Sequence, residues 1–376
     1  MLWYMRMTAH PCVGRRRRSL LRMSLIMAAG GPMLTAVSGV GSRGGGSSRV
    51  SVVMAVRDGE RFVGDAIGSL RSQTLGEFEL IVVDDGSTDA TPGIVAGLAA
   101  DDGRIHLHVR EHAGYTEALN AGWQLADSEY VGILDADDLA EPGRLERQLG
   151  FLDCHPEVGV VGGALLLITA DGRPFYIAAY PEAPADAREA LKNRSPLGHT
   201  CVLMRRAVLE EVGGYRSEFP LAEDYDLWLR ISERHAVANV PDIVGRYRIH
   251  GANGSVTGIR QQAASMTAAR AEAAGREPES QRAEGAEGAD VADSELELAL
   301  WWAQIAARAG TGWQRVEQDA WRLARTAAPR TSDPAASRSR IAETRAKLEA
   351  QTGRRSRPIR GRLARRLDPV RDSLRP

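Results

Sequence analysis

The chain has 376 residues, of which 43% are hydrophobic and 26% charged, and its formal net charge is −1. That length can bury a full core and leaves room for one large domain with an appendage. The balanced charge excludes the strong basic field on which non-specific nucleic-acid binding depends, so no nucleic-acid partner is predicted. The three cysteines, Cys12, Cys154 and Cys201, are too few and too scattered for a disulfide framework or a zinc site.

The first 48 residues carry no regular element pattern. Four arginines at 15–18 and a short apolar run imitate a secretory signal. Arg22 interrupts that run, and Gly30 to Pro32 end it well short of the roughly 20 residues a spanning helix needs. We interpret 1–48 as a disordered leader or an over-extended start. We predict a cytoplasmic protein, with peripheral contact at the inner face of the membrane left open.

From residue 50 onward, apolar runs rich in β-branched residues alternate with helical patterns. The predicted strands are Val50–Val56, Phe78–Val83, Ile105–Val109 and Tyr130–Leu134, and the predicted helices begin near Val63, Thr91 and Glu117. Four such alternations predict a parallel sheet wrapped by helices. In sheets of this kind ligands bind beyond the carboxyl ends of the strands.

Two acidic clusters fall at that end of the predicted sheet. Asp84 and Asp85 follow the second strand, and Asp135, Asp137 and Asp138 follow the fourth. Carboxylates so close together repel, so folding alone gives no reason to gather them. A divalent cation such as Mg²⁺ or Mn²⁺ supplies one, since it takes oxygen ligands and leaves positions for substrate phosphates. The alternative is an acidic turn leading into a helix.

The second half of the chain continues the pattern and adds another acidic position. Its predicted elements are a strand at Val158–Val161, a hairpin about Asp171 and Gly172, a strand at Cys201–Met204, a helix at Arg206–Val212, a helix from Glu223 and a strand at Ile243–Ile249. Asp224 lies in the first turn of that last helix. A carboxylate there stabilises the helix dipole by ~0.3–1 kcal/mol. It can alternatively act as a general base beside a metal-bound diphosphate.

Beyond residue 258 the composition changes to Ala, Glu, Arg and Gln without a strand pattern. We predict a linker over 259–293, disordered from about residue 270 on the rule for low apolar content. A helical extension follows over 294–352, with Leu296, Leu300 and Trp321 on an apolar stripe. Residues 353–376 are interpreted as a basic disordered tail, with weak attraction to an anionic membrane as the lesser reading.

Six segments together resemble the glycosyltransferases of family 2. They are Val50–Met54, Val82–Asp89, Leu134–Asp138, Val212–Tyr215, Ala222–Arg230 and Tyr247–His250. Each is common alone, but their order and spacing are specific. The resemblance covers 49–258 as one domain. It implies the GT-A fold: α/β, with a Rossmann-like, mostly parallel sheet flanked by helices, here followed by the C-terminal helical extension.

The resemblance also implies an activity and a set of roles. The activity is metal-dependent, inverting transfer of a sugar to an acceptor hydroxyl, in the synthesis of cell-surface polysaccharide or glycolipid. The donor is taken as a UDP-sugar, with GDP- and dTDP-sugars as alternatives, the acceptor as a glycan or a lipid-linked group, and the metal as Mn²⁺ or Mg²⁺. The implied nucleotide contacts are Ala55, Arg57, Asp85, Asn120 and Asp135, the metal ligands Asp137 and His250, the base Asp224, and the acceptor-side candidates Glu223 and His199.

Within these roles, Asp85 would accept a hydrogen bond from the base, and Asp135 would touch the ribose or the metal shell. Two departures from the family pattern bear on the nucleotide. Ala55 and Arg57 stand where relatives often carry a polar residue and an aromatic, and Leu119 stands where many carry arginine.

Two other classes of protein use similar residues. A sugar nucleotidyltransferase relies on the same metal and carboxylate chemistry, but it needs a Gly-rich, basic triphosphate loop in the first turn after a strand. Residues 57–61 are a poor version of one. A non-catalytic binding protein on the same fold has no need of both Asp137 and Asp224.

Overall fold

The computed structural model describes residues 35–36, 48–251, 253–275, 286–309 and 314–352. The predicted leader, apart from those few residues, and the predicted tail lie outside this part of the chain. The strands are β1 Thr35–Ala36, β2 Val50–Val56, β3 Phe78–Asp84, β4 Ile105–Val109, β5 Tyr130–Ile133, β6 Leu139–Ala140, β7 Val158–Thr169, β8 Pro174–Ala178, β9 Leu203–Arg205 and β10 Ala236–Ile249.

Helices separate most of these strands and continue beyond the last. They are α1 Val63–Arg71, α2 Thr91–Asp101, α3 Tyr115–Leu125, α4 Arg144–Cys154, α5 Pro184–Ala190, α6 Arg206–Val212, α7 Glu223–Ser232, α8 Gly254–Thr257, α9 Ile259–Ala273, α10 Ala286–Ala309, α11 Gln314–Ala327 and α12 Pro334–Thr352, with a 3-10 turn at Ala328–Arg330 before α12. No helix of the described residues is long and apolar enough to cross a membrane.

One sheet runs through the described chain in the order β1-β4-β3-β2-β5-β9-β7-β10-β6, with β8 paired to β7. The long pairings are parallel: β2 with β3 and β5, β3 with β4, and β7 with β10. The short strand β9 is antiparallel to both β5 and β7 and joins the two parallel sets. The predicted architecture, a mostly parallel sheet flanked by helices and followed by a helical region, is confirmed.

Both faces of the sheet are buried, as a parallel sheet covered by helices requires. Alternate residues of β2 divide between two cores: Val52 and Met54 face one, Val53 and Ala55 the other. On the second face α3 lies very close to the sheet. A Cβ on Gly122 would come within 2.3 Å of Val53 Cγ1, so this helix position admits only glycine at the observed distance.

The structure differs from the linker predicted over 259–293. A 15-residue helix, α9, occupies Ile259–Ala273, and α10 begins at Ala286. α9 packs against α7 and α10 and buries Ala263, Met266 and Ala269. Apart from Met266, its buried face is made of small residues, which give a weak hydrophobic pattern in the sequence although alanine is a strong helix former. Residues 276–285 of the predicted linker lie outside the described part of the chain.

An arginine is fully buried behind the sheet end that carries the aspartates. Arg144, the first residue of α4, donates through Nη2 to the carbonyls of Ile133 at 2.7 Å and Val202 at 2.9 Å. Its Nε donates to Gln148 Oε1 at 3.1 Å. Burial lowers the pKa of Arg144 from its ordinary value. The guanidinium therefore links β5 to the segment entering β9, two residues before Asp135.

Candidate active site

The loop after β2 is fastened to the acidic turn after β3. The backbone N–H groups of Asp58, Gly59 and Glu60 donate to the side chains of Ser87, Thr91 and Asp89 at 2.9, 2.8 and 3.0 Å. Asp58 in return accepts from the N–H of Thr88 at 2.7 Å. The polar residues of this turn therefore act structurally, and the three N–H groups of the loop are already used.

Asp85 lies at the centre of the predicted base pocket, and its carboxylate is held by its own chain. It accepts from the N–H groups of Ala113 and Gly114, both at 2.9 Å, and contacts His112 Nδ1 at 2.7 Å. His112 Nε2 lies 2.8 Å from Arg57 Nη1. Arginine can only donate, so His112 accepts at Nε2 and donates from Nδ1 to Asp85. Arg57, His112 and Asp85 thus form one connected group beside the buried Ala55.

Asn120, predicted as a nucleotide contact, is bonded to Tyr215 and Trp123. Its amide donates to the carbonyl of Tyr215 at 2.9 Å and accepts from the N–H of Tyr215 at 3.0 Å. Trp123 Nε1 also donates to the amide oxygen, at 2.9 Å. These bonds use the amide oxygen twice and one of the two amide N–H groups, which leaves one N–H of Asn120 for a ligand. The side chain ties α3 to the segment before α7 and supports the site from behind.

Asp135 lies just beyond β5, half-buried. Its Oδ1 accepts a hydrogen bond from the hydroxyl of Tyr115 at 2.5 Å, and its N–H donates to Thr200 Oγ1 at 3.3 Å. Burial raises the pKa of Asp135, the positive charge of His199 opposes the rise, and the charges of Asp137 and Asp224 add to it. The carboxylates from β5 and from α7 therefore share one electrostatic site.

Asp137 and His250, which are far apart in sequence, meet at this site. His250 Nε2 lies 2.9 Å from Asp137 Oδ2. Asn253 supports both: its amide donates to Asp137 Oδ2 at 3.2 Å, and its oxygen accepts from the N–H of His250 at 2.5 Å. Phe62 packs against the His250 ring with centroids 5.2 Å apart.

This pair offers a cation one carboxylate oxygen and one imidazole nitrogen. Within the described residues no three His, Cys, Asp or Glu side chains come together as a metal site. Asp137 and His250 alone are too few to enclose an ion. They fit an open site in which Mn²⁺ or Mg²⁺ would complete its shell with diphosphate oxygens and water.

Asp138, the third carboxylate of the cluster, turns away from the cleft. It is fully buried and accepts from the N–H of Arg248 at 2.6 Å. The Arg248 side chain donates to the carbonyls of Asp137 at 2.8 Å and Ala170 at 3.1 Å. Burial, with the charges of Asp137 and Asp135, raises the pKa of Asp138 well above its ordinary value. Asp138 therefore anchors the turn to β10.

Glu223 and Asp224 are the first two residues of α7. The carboxylate of Asp224 accepts from the N–H of Tyr225 at 2.7 Å. Burial raises the pKa of Asp224, and the positive charge of His199 opposes that rise. Burial and the charge of Asp224 raise the pKa of Glu223 to about 8. Glu223 therefore keeps its proton at neutral pH.

His199 lies between the end of β5 and helix α7. Its Nδ1 is 3.3 Å from the Tyr115 hydroxyl and 3.9 Å from Asp135 Oδ1, while Nε2 is 3.0 Å from the Tyr215 hydroxyl. Its ring also packs near Trp228 of α7, with centroids 6.3 Å apart.

Four residues of the site were missed from the sequence: His112, Tyr115, Tyr215 and Asn253. Three of them sit next to glycine, at Gly114, Gly214 and Gly254. Gly114 has φ +107° and Gly214 has φ +76°. The available signal in the sequence was a polar residue next to a glycine in a loop. That signal does not identify the partner of each residue.

The architecture, a mostly parallel sheet flanked by helices with a helical C-terminal region, is that of the GT-A fold. The S. aureus protein TarS 1-349, solved in complex with UDP-GlcNAc, aligns with a TM-score of 0.50 and 17% identity over 83% of this chain and 93% of that one. At that identity the likeness concerns the fold alone.

Sequence comparison assigns the family. Residues 51–213 match the family model for glycosyl transferase family 2. The amylovoran biosynthesis glycosyltransferase AmsE of Erwinia amylovora is 32% identical over 182 residues, 48% of this chain and 68% of AmsE. An uncharacterized glycosyltransferase of Haemophilus influenzae is 28% identical over 212 residues, 54% of this chain and 66% of that protein. The alignments thus span about half of this chain and about two thirds of each relative. The chain belongs to glycosyl transferase family 2.

Proposed function

We propose that this protein is a metal-dependent, inverting glycosyltransferase that moves a sugar from a nucleoside diphosphate to an acceptor hydroxyl. The observation that supports the proposal is that Asp137 lies 2.9 Å from His250 Nε2, while Asp135, two residues earlier, lies 3.9 Å from His199 and close enough to Asp224 for that charge to raise its pKa. Because AmsE is named for amylovoran biosynthesis, a polysaccharide or glycolipid product is the fair expectation.

On the donor side, the base would bind beside Asp85, Arg57 and His112. Asp85 already accepts three hydrogen bonds from its own chain, so a base N–H would have to share one oxygen or displace His112. Asp135 would meet the ribose. Asp137 and His250 would hold the cation, which when bound acts as a Lewis acid that stabilises the leaving diphosphate.

On the acceptor side, Asp224 would take the proton of the attacking hydroxyl. Burial gives its carboxylate a raised pKa and hence greater basicity, while the His199 charge limits the rise. Glu223, neutral near pH 7, would donate a hydrogen bond to the acceptor sugar. Attack opposite the diphosphate inverts the anomeric carbon without a covalent sugar–enzyme intermediate.

The loop after β2 argues against a sugar nucleotidyltransferase. Such an enzyme needs free backbone N–H groups there to cradle a triphosphate. In this chain the N–H groups of Asp58, Gly59 and Glu60 are bonded to the turn after β3.

The test is thermal stabilisation of the full chain by UDP, GDP and dTDP and their sugars, each with Mn²⁺ and with EDTA. We expect one nucleotide series to stabilise wild type only with metal, and D137A to abolish that shift. D224N should still bind the nucleotide but lose sugar transfer by at least about a hundredfold, the usual share of a general base. Metal-independent binding, or wild-type turnover by D224N in a purified assay, would contradict the proposal. Asp171, an exposed aspartate in the β7–β8 turn, gives the matched control D171N.

A further inference from the structure

Four side chains form a continuous hydrogen-bonded line across the cleft, and its direction can be assigned. The Tyr115 hydroxyl donates to Asp135 Oδ1, so the Tyr115 oxygen is left to accept from His199 Nδ1–H. His199 Nε2 lies 3.0 Å from the Tyr215 hydroxyl, which donates to a neutral ring and accepts from a charged one. In both cases the Nδ1–H of His199 and the hydroxyl of Tyr115 point towards Asp135.

Tyr215 is suited to the far end of this line. Burial, with the charges of Asp224 and Asp135, raises the pKa of Tyr215 well above its ordinary value. Its hydroxyl therefore stays protonated and able to donate. Asn120 fixes its backbone through both the N–H and the carbonyl, so the hydroxyl is presented from a rigid support.

The backbone that carries His199 is also held against the strand end. The N–H of Cys201 donates to the carbonyl of Ile133 at 2.9 Å, and Thr200 Oγ1 accepts from the N–H of Asp135. Cys201 has φ +70°, a conformation that costs a residue with a Cβ of the order of 1 kcal/mol and persists only where its surroundings impose it. This strained segment places the His199 ring beside Asp135.

The hydrogen bond from Tyr115 occupies one carboxylate oxygen of Asp135 and leaves the other for a ligand. Oδ1 is held by Tyr115, whereas no described residue donates a hydrogen bond to Oδ2. The Asp135 side chain is 24% exposed, so Oδ2 can face the cleft.

We infer that His199 is a positioning residue for the proposed donor site: through Tyr115 it orients Asp135 so that Oδ2 meets a ribose hydroxyl of the nucleotide. The inference rests on the proposed function, because it takes the ligand of Asp135 to be the donor's ribose. It gives Tyr115, His199 and Tyr215 roles that follow from their contacts.

The test uses the two isosteres of histidine. An asparagine amide reaches the position of Nδ1 and can donate to Tyr115, whereas a glutamine amide reaches that of Nε2 and keeps only the Tyr215 contact. The nucleoside diphosphate that stabilises wild type is titrated calorimetrically with Mn²⁺ against H199A, H199N, H199Q and Y115F. We expect H199A, H199Q and Y115F to bind roughly tenfold more weakly, as for loss of one hydrogen bond to a charged group, and H199N to lie within about threefold of wild type.

Two further measurements separate positioning from packing. The double variant Y115F/H199A should bind no more weakly than either single variant, because both remove the same link. With the 2′,3′-dideoxy analogue of the same nucleotide, wild type and H199A should bind equally. The matched control is H155N, which should bind as wild type does. His155 is half-buried at the end of α4, and its Nδ1 contacts the carbonyl of Phe151.

The outcomes distinguish failure of the proposed function from failure of the positioning role of His199. If wild type binds none of UDP, GDP and dTDP, the proposed function fails and the inference with it. If wild type binds but H199N and H199Q lose affinity equally, if the double variant is additive, or if the dideoxy analogue shows the same loss, the positioning role alone is overturned.

Discussion

The close approach of α3 to the sheet gives a stability prediction with a built-in control. In G122A the new Cβ would lie 2.3 Å from Val53 Cγ1 and 3.3 Å from Val83 Cγ2. Val53 is fully buried on a central strand, so neither partner can turn away into solvent. Helix and strand must therefore separate by more than 1 Å, judged against ordinary carbon contacts of about 3.5–4 Å.

The size of the effect follows from two opposing contributions. Overpacking in a well-filled core costs about 1–3 kcal/mol, and the severity of this contact places it near the upper end. Replacing glycine by alanine inside a helix returns up to about 1 kcal/mol. We expect G122A to lose about 2 kcal/mol, which for a domain of this size lowers Tm by roughly 4–8 °C.

The matched control lies on α2. Gly97 is also in a helix interior, is exposed, and a Cβ there would have no neighbour within 4 Å. G97A should gain about 0.5–1 kcal/mol from helix propensity alone. Urea unfolding followed by circular dichroism measures both, and an unchanged slope m keeps the comparison valid. A midpoint for G122A at or above that of wild type, or a lower midpoint for G97A, would refute the packing argument.

Three other variants test the charges around the site. The pKa of Glu223 is about 8 in the folded protein against an ordinary 4.5. As pH rises from about 4.5 to 8, the unfolded chain therefore loses this proton before the folded protein does, and wild type is destabilised. E223Q should therefore be more stable than wild type, by roughly 1–2 kcal/mol at pH 8 and by little at pH 5; equal melting curves at both pH values would contradict this. D226N removes the buried negative charge that pairs with Arg216 and Arg230, replaces one acceptor oxygen by an NH2 donor, and should cost about 3 kcal/mol. D319N, at an exposed pair with Arg322, should change urea stability by less than about 0.5 kcal/mol. R144M removes one of the two hydrogen bonds that the carbonyls of Ile133 and Val202 each accept, while the N–H groups of Cys201 and Ile133 still donate to them, and should cost about 1–2 kcal/mol in the same assay; a neutral result would mean that this cation is dispensable.

The apolar strands and the helices between them could be predicted closely from the sequence. Val50–Val56, Ile105–Val109 and Arg206–Val212 have the predicted bounds, because buried β-branched runs and an αL glycine at Gly213 are strong local signals. The strand predicted at Cys201–Met204 begins later, at Leu203. Its first residues instead bend, with Cys201 at φ +70°, to place His199 at the site.

The acidic residues of the site could be predicted from their positions after strands, whereas the pairing of His250 with Asp137 was implied only by the family resemblance. The structure brings His250 Nε2 within 2.9 Å of Asp137 Oδ2. The partners of Asp85 and Asn120 depend instead on loop paths, set by contacts between distant segments such as Asn120 with Tyr215. Sequence patterns do not encode those contacts.

The buried guanidinium of Arg144 also bears on how the sheet assembles. β9 is a three-residue strand between two parallel sets, and so short a ladder specifies its own alignment weakly. A slip of β9 along β5 would carry the carbonyl of Val202 away from Arg144 and leave this buried cation with the carbonyl of Ile133 and the side chain of Gln148 as acceptors, at a cost of about 1–3 kcal/mol. The buried charge of Arg144 thus raises the free energy of mispaired sheets more than it lowers the free energy of the native sheet. Refolding yield should depend on Arg144 more steeply than equilibrium stability does.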